Sequence, residues 1–248
     1  MYVSIFIFFL LFGSFLNVVG YRLIQDISII QPRSFCPYCK TTLAWYDLIP
    51  LISWLMLRGS CRSCSHSISW LYPCIELLTA CSFTALVAFF DPGYWIAYSI
   101  FFTALLVIIR TDAETMLISR FTTLAFIPVA YVLSYFNLLP ITSTQSILGS
   151  LFGYILLWSI ARLFYLIKNK QGMGEGDFDL LAFIGAFTGI AGAWVSLFIG
   201  SILGSCWGIY LLWLGYKPEN THIAFGPWLC LGALLYSLYL HKLIFFIF

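Results

Sequence analysis

Apolar residues run through this chain in long unbroken stretches, and polar residues collect in a few short intervals between them. The apolar runs cover residues 2–21, 71–90, 94–109, 121–139, 146–167, 180–216 and 224–247. A helix crossing a bilayer needs about 20 predominantly apolar residues, so each run reads as membrane-crossing. The run 180–216 is too long for one comfortable span, and Gly189 to Gly192 mark where it folds into two. The pattern predicts an all-α polytopic membrane protein with about eight transmembrane helices, or seven if 180–216 is one long tilted helix. Pro128 is expected to kink the fourth run. Glycine recurs every fourth residue at Gly185 and Gly189, and again at Gly200, Gly204 and Gly208, which puts small residues on one helix face for close packing.

Composition removes whole classes of function. Of 248 residues, 62% are hydrophobic and 9% charged, against roughly 25% charged in a soluble domain. A water-soluble globule is excluded, and membrane lipids are the chain's surroundings. Twelve Lys+Arg against ten Asp+Glu leave a net +2, too thinly spread for a nucleic-acid partner. The few cations instead set orientation. Arg22, Arg33, Lys40, Arg58 and Arg62 lie in 22–69, and Arg110, Arg120, Arg162, Lys168 and Lys170 cluster around the polar intervals 110–120 and 168–179. The turns at 91–93 and 140–145 carry no Lys or Arg. By the positive-inside rule the basic intervals, including 22–69 and the turn 217–222, are cytoplasmic. The first run has no basic residue ahead of it, so it is expected to be a retained span with its N-terminus outside, not a cleaved signal.

Four of the eight cysteines form two Cys-x-x-Cys knuckles inside 22–69: Cys36 with Cys39, and Cys61 with Cys64. Two intervening residues let a tight turn aim both sulfurs at one ion, so the four are candidate ligands of a closed, structural zinc site. The 21 residues between the knuckles slightly exceed the usual spacing. Two disulfides or a redox pair are the alternatives, and a reducing cytoplasm disfavours the disulfides. Cys74, Cys81, Cys206 and Cys230 fall in apolar runs and read as small buried hydrophobes.

Half of the ten carboxylates, namely Asp112, Glu114, Glu175, Asp177 and Asp179, occupy two short segments at the inner membrane face. Carboxylates beside hydrocarbon are costly and mark functional sites. No His-Glu-x-x-His and no Gly-x-Ser-x-Gly is present, and no Lys lies in a span core, although a Ser/Lys dyad is not excluded by composition. Two aspartates facing each other across helices are the economical choice: like charges a few ångström apart cannot both ionise, so one carboxyl stays protonated while the other activates water. Asp177 follows Gly174-Glu-Gly176, whose glycines leave room for a peptide backbone, and Asp112 is its candidate partner.

These residues resemble the bacterial type IV prepilin peptidases, intramembrane aspartyl proteases with a Gly-x-Gly-Asp motif. The resemblance is carried in order by Gly13-Ser-Phe-Leu-Asn17 with Arg22, by the cysteine loop with Trp45-Tyr-Asp47, Pro50, Trp54 and Arg58-Gly59, by Tyr72-Pro73 with Glu76, by Asp112-Ala-Glu114, by Gly174-Glu-Gly176-Asp177, and by Phe225-Gly226-Pro227. It implies cleavage of leader peptides from prepilins and pseudopilins at the cytoplasmic membrane face, with Asp112 and Asp177 as the catalytic pair and Gly174 and Gly176 supporting their loop. It also implies methylation of the new N-terminal amine from S-adenosylmethionine; the chain's residue chemistry does not locate that second site, and Glu76 near the loop is its one suggested residue. The domains expected on this basis are a first transmembrane helix at 1–21, a cytoplasmic tetracysteine zinc domain at 22–69 and an intramembrane protease domain at 70–248.

The chain departs from the family pattern at two places. Ile118-Ser119-Arg120 stands where the family has Ile-Pro-Asp, and Phe178-Asp179-Leu180 where it has x-Lys-Leu. The two charge reversals are expected to compensate, with Arg120 pairing with Asp179. A transporter using membrane carboxylates is the alternative from another class, although it leaves the cysteine knuckles idle and no inverted repeat is visible. An inactive homologue that assists pilin assembly is a further alternative, against which the intact Asp112 and Asp177 count.

Overall fold

The computed structural model describes residues 1–25, 27–170, 172–216 and 223–240. Among these the chain is helical, with no β-strand, and it divides into two compact units, Met1–Phe90 and Asp91–Phe248. Five helices are long and apolar enough to cross a membrane: Tyr2–Ile24, Leu71–Phe89, Pro92–Thr115, Ser143–Lys168 and Glu175–Trp213. Large apolar side chains such as Phe8, Phe15, Ile155, Leu163, Ile209 and Trp213 stand exposed on them. In water such surfaces would aggregate; facing lipid they are at no disadvantage.

In the first unit, α1 (Tyr2–Ile24) packs on α3 (Leu71–Phe89). The crossing point is Gly13, where a Cβ would stand 2.8 Å from the Glu76 Cα. Asn17 ties the pair by donating to the Tyr72 carbonyl at 3.1 Å, a bond that keeps a buried amide satisfied inside an apolar contact. Buried Arg22 ends α1 by donating to the carbonyls of Ser28, Ile29 and Pro32. The motif residues Gly13, Asn17 and Arg22 thus each have a local structural task. Between the two helices lies the cysteine loop, which contains the short helix α2 (Ile52–Met56).

The second unit holds α4 (Trp95–Thr115), α5 (Arg120–Leu124), α6 (Phe126–Tyr135), α7 (Ser143–Lys168), α8 (Glu175–Trp213) and α9 (Gly226–Leu235). A capping box starts α7: the Thr142 hydroxyl accepts from the Gln145 N–H, and the Gln145 side chain accepts from the Thr142 N–H. Helices α7 and α8 meet backbone to backbone at Gly149 and Gly185, where a Cβ on either would overlap the other's carbonyl, and Ser146 donates to the Ala186 carbonyl at 2.6 Å. The second glycine series packs as expected, with Gly200 against the backbone at Trp228 and Leu229, and Gly204 against the Trp228 ring.

Two expectations about the runs meet the structure directly. Gly189 breaks α8 with φ 73° and ψ −174°, a conformation in which a side chain is strained. The run 121–139 is no single helix. It is split into α5 and α6 at Ala125, three residues before Pro128, which occupies the first turn of α6. There its missing N–H is not needed by the helix, so proline starts a short helix instead of bending a long one. The thiols also need correction: Cys230 is buried, but Cys74, Cys81 and Cys206 are exposed on the outer faces of their helices. An apolar run places a thiol in the membrane without choosing which face it occupies. The turn 217–222, residues 241–247 of the last run, and Asp26, Glu219, His222 and His241 lie outside the described residues.

Candidate active site and metal centre

In the first unit the two knuckles are built to one plan, 25 residues apart in sequence. In the first, the Cys36 N–H donates to the Thr41 carbonyl and the Lys40 N–H to the Cys36 carbonyl; in the second, Cys61 donates to His66 and Ser65 to Cys61. Lys40 and Ser65 both take positive φ, 59° and 58°, and the turns are closed by matching bridges, Phe35 with Thr42 and Ser60 with Ser67. Amides and carbonyls of the turns are thereby satisfied locally, which leaves the sulfurs free to converge.

Converge they do: all four ligand atoms of Cys36, Cys39, Cys61 and Cys64 lie within 4.8 Å of one another. Cys36 and Cys64 sulfurs are 3.9 Å apart, and Cys39 and Cys61 sulfurs 4.0 Å. A tetrahedral zinc with sulfurs at about 2.3 Å has edges of about 3.8 Å, whereas a disulfide needs about 2.05 Å. The donor set and its spacing fit a tetrahedral metal such as zinc. The thiols are unequal: hydrogen bonds from the Thr41 side chain and backbone lower the Cys39 pKa to about 6. Cys64 is raised to about 11, because the bond from His66 is outweighed by desolvation and the neighbouring cysteines. Around the tetrad, Arg62 pairs with Asp47 at 2.8 Å, and Trp54 donates to the Ile68 carbonyl at 3.2 Å. Gly59, at φ 67°, lies where a Cβ would be 2.9 Å from the Trp54 ring.

In the second unit, Asp112 lies in the last turn of α4 and is only 4% exposed. One carboxylate oxygen accepts from the Gly226 N–H; its Oδ2 is buried with no partner among the described residues. Asp177 is the third residue of α8, whose N-cap is Gly174. Its side chain accepts from the Gly174 N–H, the acidic half of a capping box. Structure therefore explains an acid at this position by capping alone. The two carboxylates are also within electrostatic reach of each other, and buried Cys230 feels both. Helix capping does not account for a second buried acid, with an unsatisfied oxygen, beside the first.

Gly226, the centre of Phe225-Gly226-Pro227, has a role that the motif does not reveal from sequence alone. A Cβ there would lie 3.1 Å from Ile118 and closer still to the Asp112 carboxylate, so only glycine lets the α9 N-terminus approach that acid. Ile118 also abuts Gly176, at 3.0 Å from where its Cβ would be, and so joins both carboxylate segments. Arg120 meets Glu175 at 2.5 Å and Asp179 at 3.4 Å. The expected compensation between the reversed charges is thus present, with Glu175 as an additional partner. Arg110 is fully buried and pairs with Glu114 one turn on.

Residues 7–90 match the family model of the bacterial peptidase A24 N-terminal domain, and residues 99–209 match that of the type IV leader peptidase family. The chain is 34% identical to the prepilin leader peptidase/N-methyltransferase of Aeromonas hydrophila over 92% of its own length and 87% of that protein's. The chain belongs to the type IV leader peptidase family. The protein of the same name from Bacillus subtilis is 34% identical over 95% of this chain and 93% of its own, and that of Pseudomonas aeruginosa 32% over 90% and 85%. No solved structure matches. The N-terminal family model ends at the residue where the first compact unit ends, and the leader peptidase family model contains both acidic segments.

Proposed function

We propose that this chain is a multi-pass aspartic endopeptidase of the bacterial inner membrane that removes leader peptides from type IV prepilins and pseudopilins, and N-methylates the amine so exposed. The observation that carries this reading is that Ile118 borders both Gly226, which abuts the Asp112 carboxylate, and Gly176, next to Asp177, so that buried Asp112, with one oxygen unpartnered, lies within electrostatic reach of Asp177 at the mouth of α8. Its relatives are named for both activities.

Two adjacent carboxylates cannot both ionise, so the pair shares one proton and titrates as a unit. The ionised member takes a proton from water, and that water attacks the scissile carbonyl while the protonated member donates to the carbonyl oxygen. Collapse of the tetrahedral species returns a proton to the leaving amine, and the water oxygen stays on the leader's new carboxylate. The N–H groups of Gly226 and Gly174 orient the two acids. Around Gly174 the nearest atom to a would-be Cβ is the Asp177 Oδ2, at 3.8 Å, so a substrate backbone has room beside the reacting carboxylate.

Cys36, Cys39, Cys61 and Cys64 would hold zinc with all four positions filled by protein, a structural role without an open site for chemistry. The positive-inside argument supports a cytoplasmic side for the zinc loop at 22–69 and for both acidic segments, with the protease domain in 70–248. The break at Gly189 supports reading α8 as two membrane segments, and about eight crossings result if α5 with α6 and α9 each complete one.

Co-expression with a prepilin tests the dyad. Wild type is expected to shorten the prepilin by its leader, and Asp112→Asn and Asp177→Asn are each expected to lower cleavage by about a thousandfold. Cleavage unchanged in either variant overturns the assignment.

A further inference from the structure

Glycine stands at three positions around the acidic pair, Gly174, Gly176 and Gly226, and the last two face one and the same side chain, that of Ile118. A Cβ on Gly176 would lie 3.0 Å from the Ile118 Cβ, and a Cβ on Gly226 would lie 3.1 Å from its Cδ1. Ile118 is half-buried, whereas the two residues before it, Met116 and Leu117, are exposed. In the turn between α4 and α5 it is Ile118 that reaches in between the two acidic segments.

The turn is fixed from both ends. Met116 takes φ 55°, and its N–H donates to the Asp112 carbonyl at 2.9 Å, which closes α4 on the acid's own residue. Ser119 opens α5 by accepting from the Thr122 N–H at 3.0 Å, and Arg120 pairs with Glu175 and Asp179 on α8. Backbone bonds and ion pairs therefore set the course of 116–119, and the Ile118 side chain is left to shape the space beside the carboxylates.

That space is one-sided. Beside Gly174 the nearest atom to a would-be Cβ is the Asp177 Oδ2 at 3.8 Å, so this side is open, and beside Gly176 and Gly226 Ile118 closes it. In peptide hydrolysis the attacked carbonyl carbon must reach both acids, and the α-carbon of the residue that supplies the carbonyl is one bond away. A side chain on that residue competes with Ile118 for the same space. The residue on the amine side has its α-carbon one bond further off, and the constraint on it is weaker.

We infer that Ile118 is a specificity-determining residue: it walls the cleft on the closed side and limits the residue ahead of the cut to one with little or no side chain. The inference rests on Asp112 and Asp177 being the reacting pair, as in the proposed function.

The test uses full-length protein in detergent and one prepilin made in three forms, with Gly, Ala or Val immediately before the cut, the cleavage point being read by mass spectrometry. In wild type, Ala in place of Gly is expected to lower kcat/KM by about tenfold or more, and Val further. Ile118→Ala removes the side chain beyond Cβ and is expected to bring the Gly and Ala substrates within about threefold of each other, with Ile118→Val in between. The readout is the ratio between substrates, so a general loss of activity does not imitate it, and Ile118→Val keeps the test available should the larger truncation not fold. An unchanged ratio in the folded variants overturns the assignment. Loss of all cleavage in both variants at the wild-type melting temperature also overturns it, because Ile118 would then support the acids instead of bounding the substrate. Wild-type cleavage that survives Asp112→Asn or Asp177→Asn is a different failure, that of the dyad itself.

Discussion

The cysteine loop and the aspartate pair solve opposite problems. In the loop, short turns with their own hydrogen bonds aim four thiols at one point, and the ligands sit three residues apart in each knuckle. At the proposed acidic pair, residues 65 positions apart in sequence are brought within electrostatic reach by the placement of α4, α8 and the start of α9. The first site is local and set by its own turns; the second is long-range and depends on helix contacts. Damage to each should therefore look different, and the variants below separate the two.

The largest effect is expected at the loop. Cys39→Ser or Cys61→Ser should reduce bound zinc from about one per chain to near none, since structural zinc binding supplies on the order of 10 kcal/mol of folding free energy in small domains. Metal analysis measures the loss, and limited proteolysis should show new cuts within 34–69 while the apolar helices stay protected. Zinc uptake by metal-stripped protein should also depend on pH. Binding needs thiolates, and Cys39 loses its proton near 6 whereas Cys64 keeps it to about 11. Uptake at neutral pH must therefore displace a proton from Cys64, so affinity rises with pH, and below about 6 it falls further as Cys39 is protonated. A pH-independent affinity would mean that the tetrad is not the site.

A smaller effect is expected where α7 crosses α8. Gly149→Val puts a branched side chain into the Gly185 backbone, and overpacking of this kind costs about 1–3 kcal/mol. Thermal melting should move down and cleavage should fall, while zinc content stays at the wild-type level. Gly93→Ala is the control, because nothing lies within 4 Å of a Cβ there. Equal melting temperatures for the two variants would show that the crossing does not support the acidic pair.

This contrast also explains what could be read without a structure. The knuckles were legible because spacing alone brings the sulfurs of Cys36 and Cys39 together. Asp112 and Asp177 stood out because acids are rare beside hydrocarbon, and Gly189 because it sits with Gly192 inside a run too long for one comfortable span. The splitting of 121–139 at Ala125 was not legible, since apolarity does not report helix length. Nor was the Gly226 contact with Asp112, which depends on how closely α9 approaches α4. The outward placement of Cys74, Cys81 and Cys206 was hidden for a related reason. In a membrane both faces of a helix are apolar, so the sequence does not say which one meets protein.

The smallest expected effect concerns Arg120, which sits between Glu175 and Asp179 where the family pattern has the charges at 120 and 179 reversed. Arg120 and Glu175 are exposed, 61% and 78%, and exposed pairs contribute little. Asp179 is buried, so its share of the cluster matters more. Arg120→Asp alone sets three acids together beside Asp177, and Asp179→Lys alone sets two cations together; each should lower prepilin cleavage severalfold. The double variant restores an opposite-charge pair in the family's own order and should recover to within about twofold of wild type, a coupling of about 1 kcal/mol. Additive losses would mean that Arg120 and Asp179 act independently, and that the two reversals in this chain did not arise as compensation for each other.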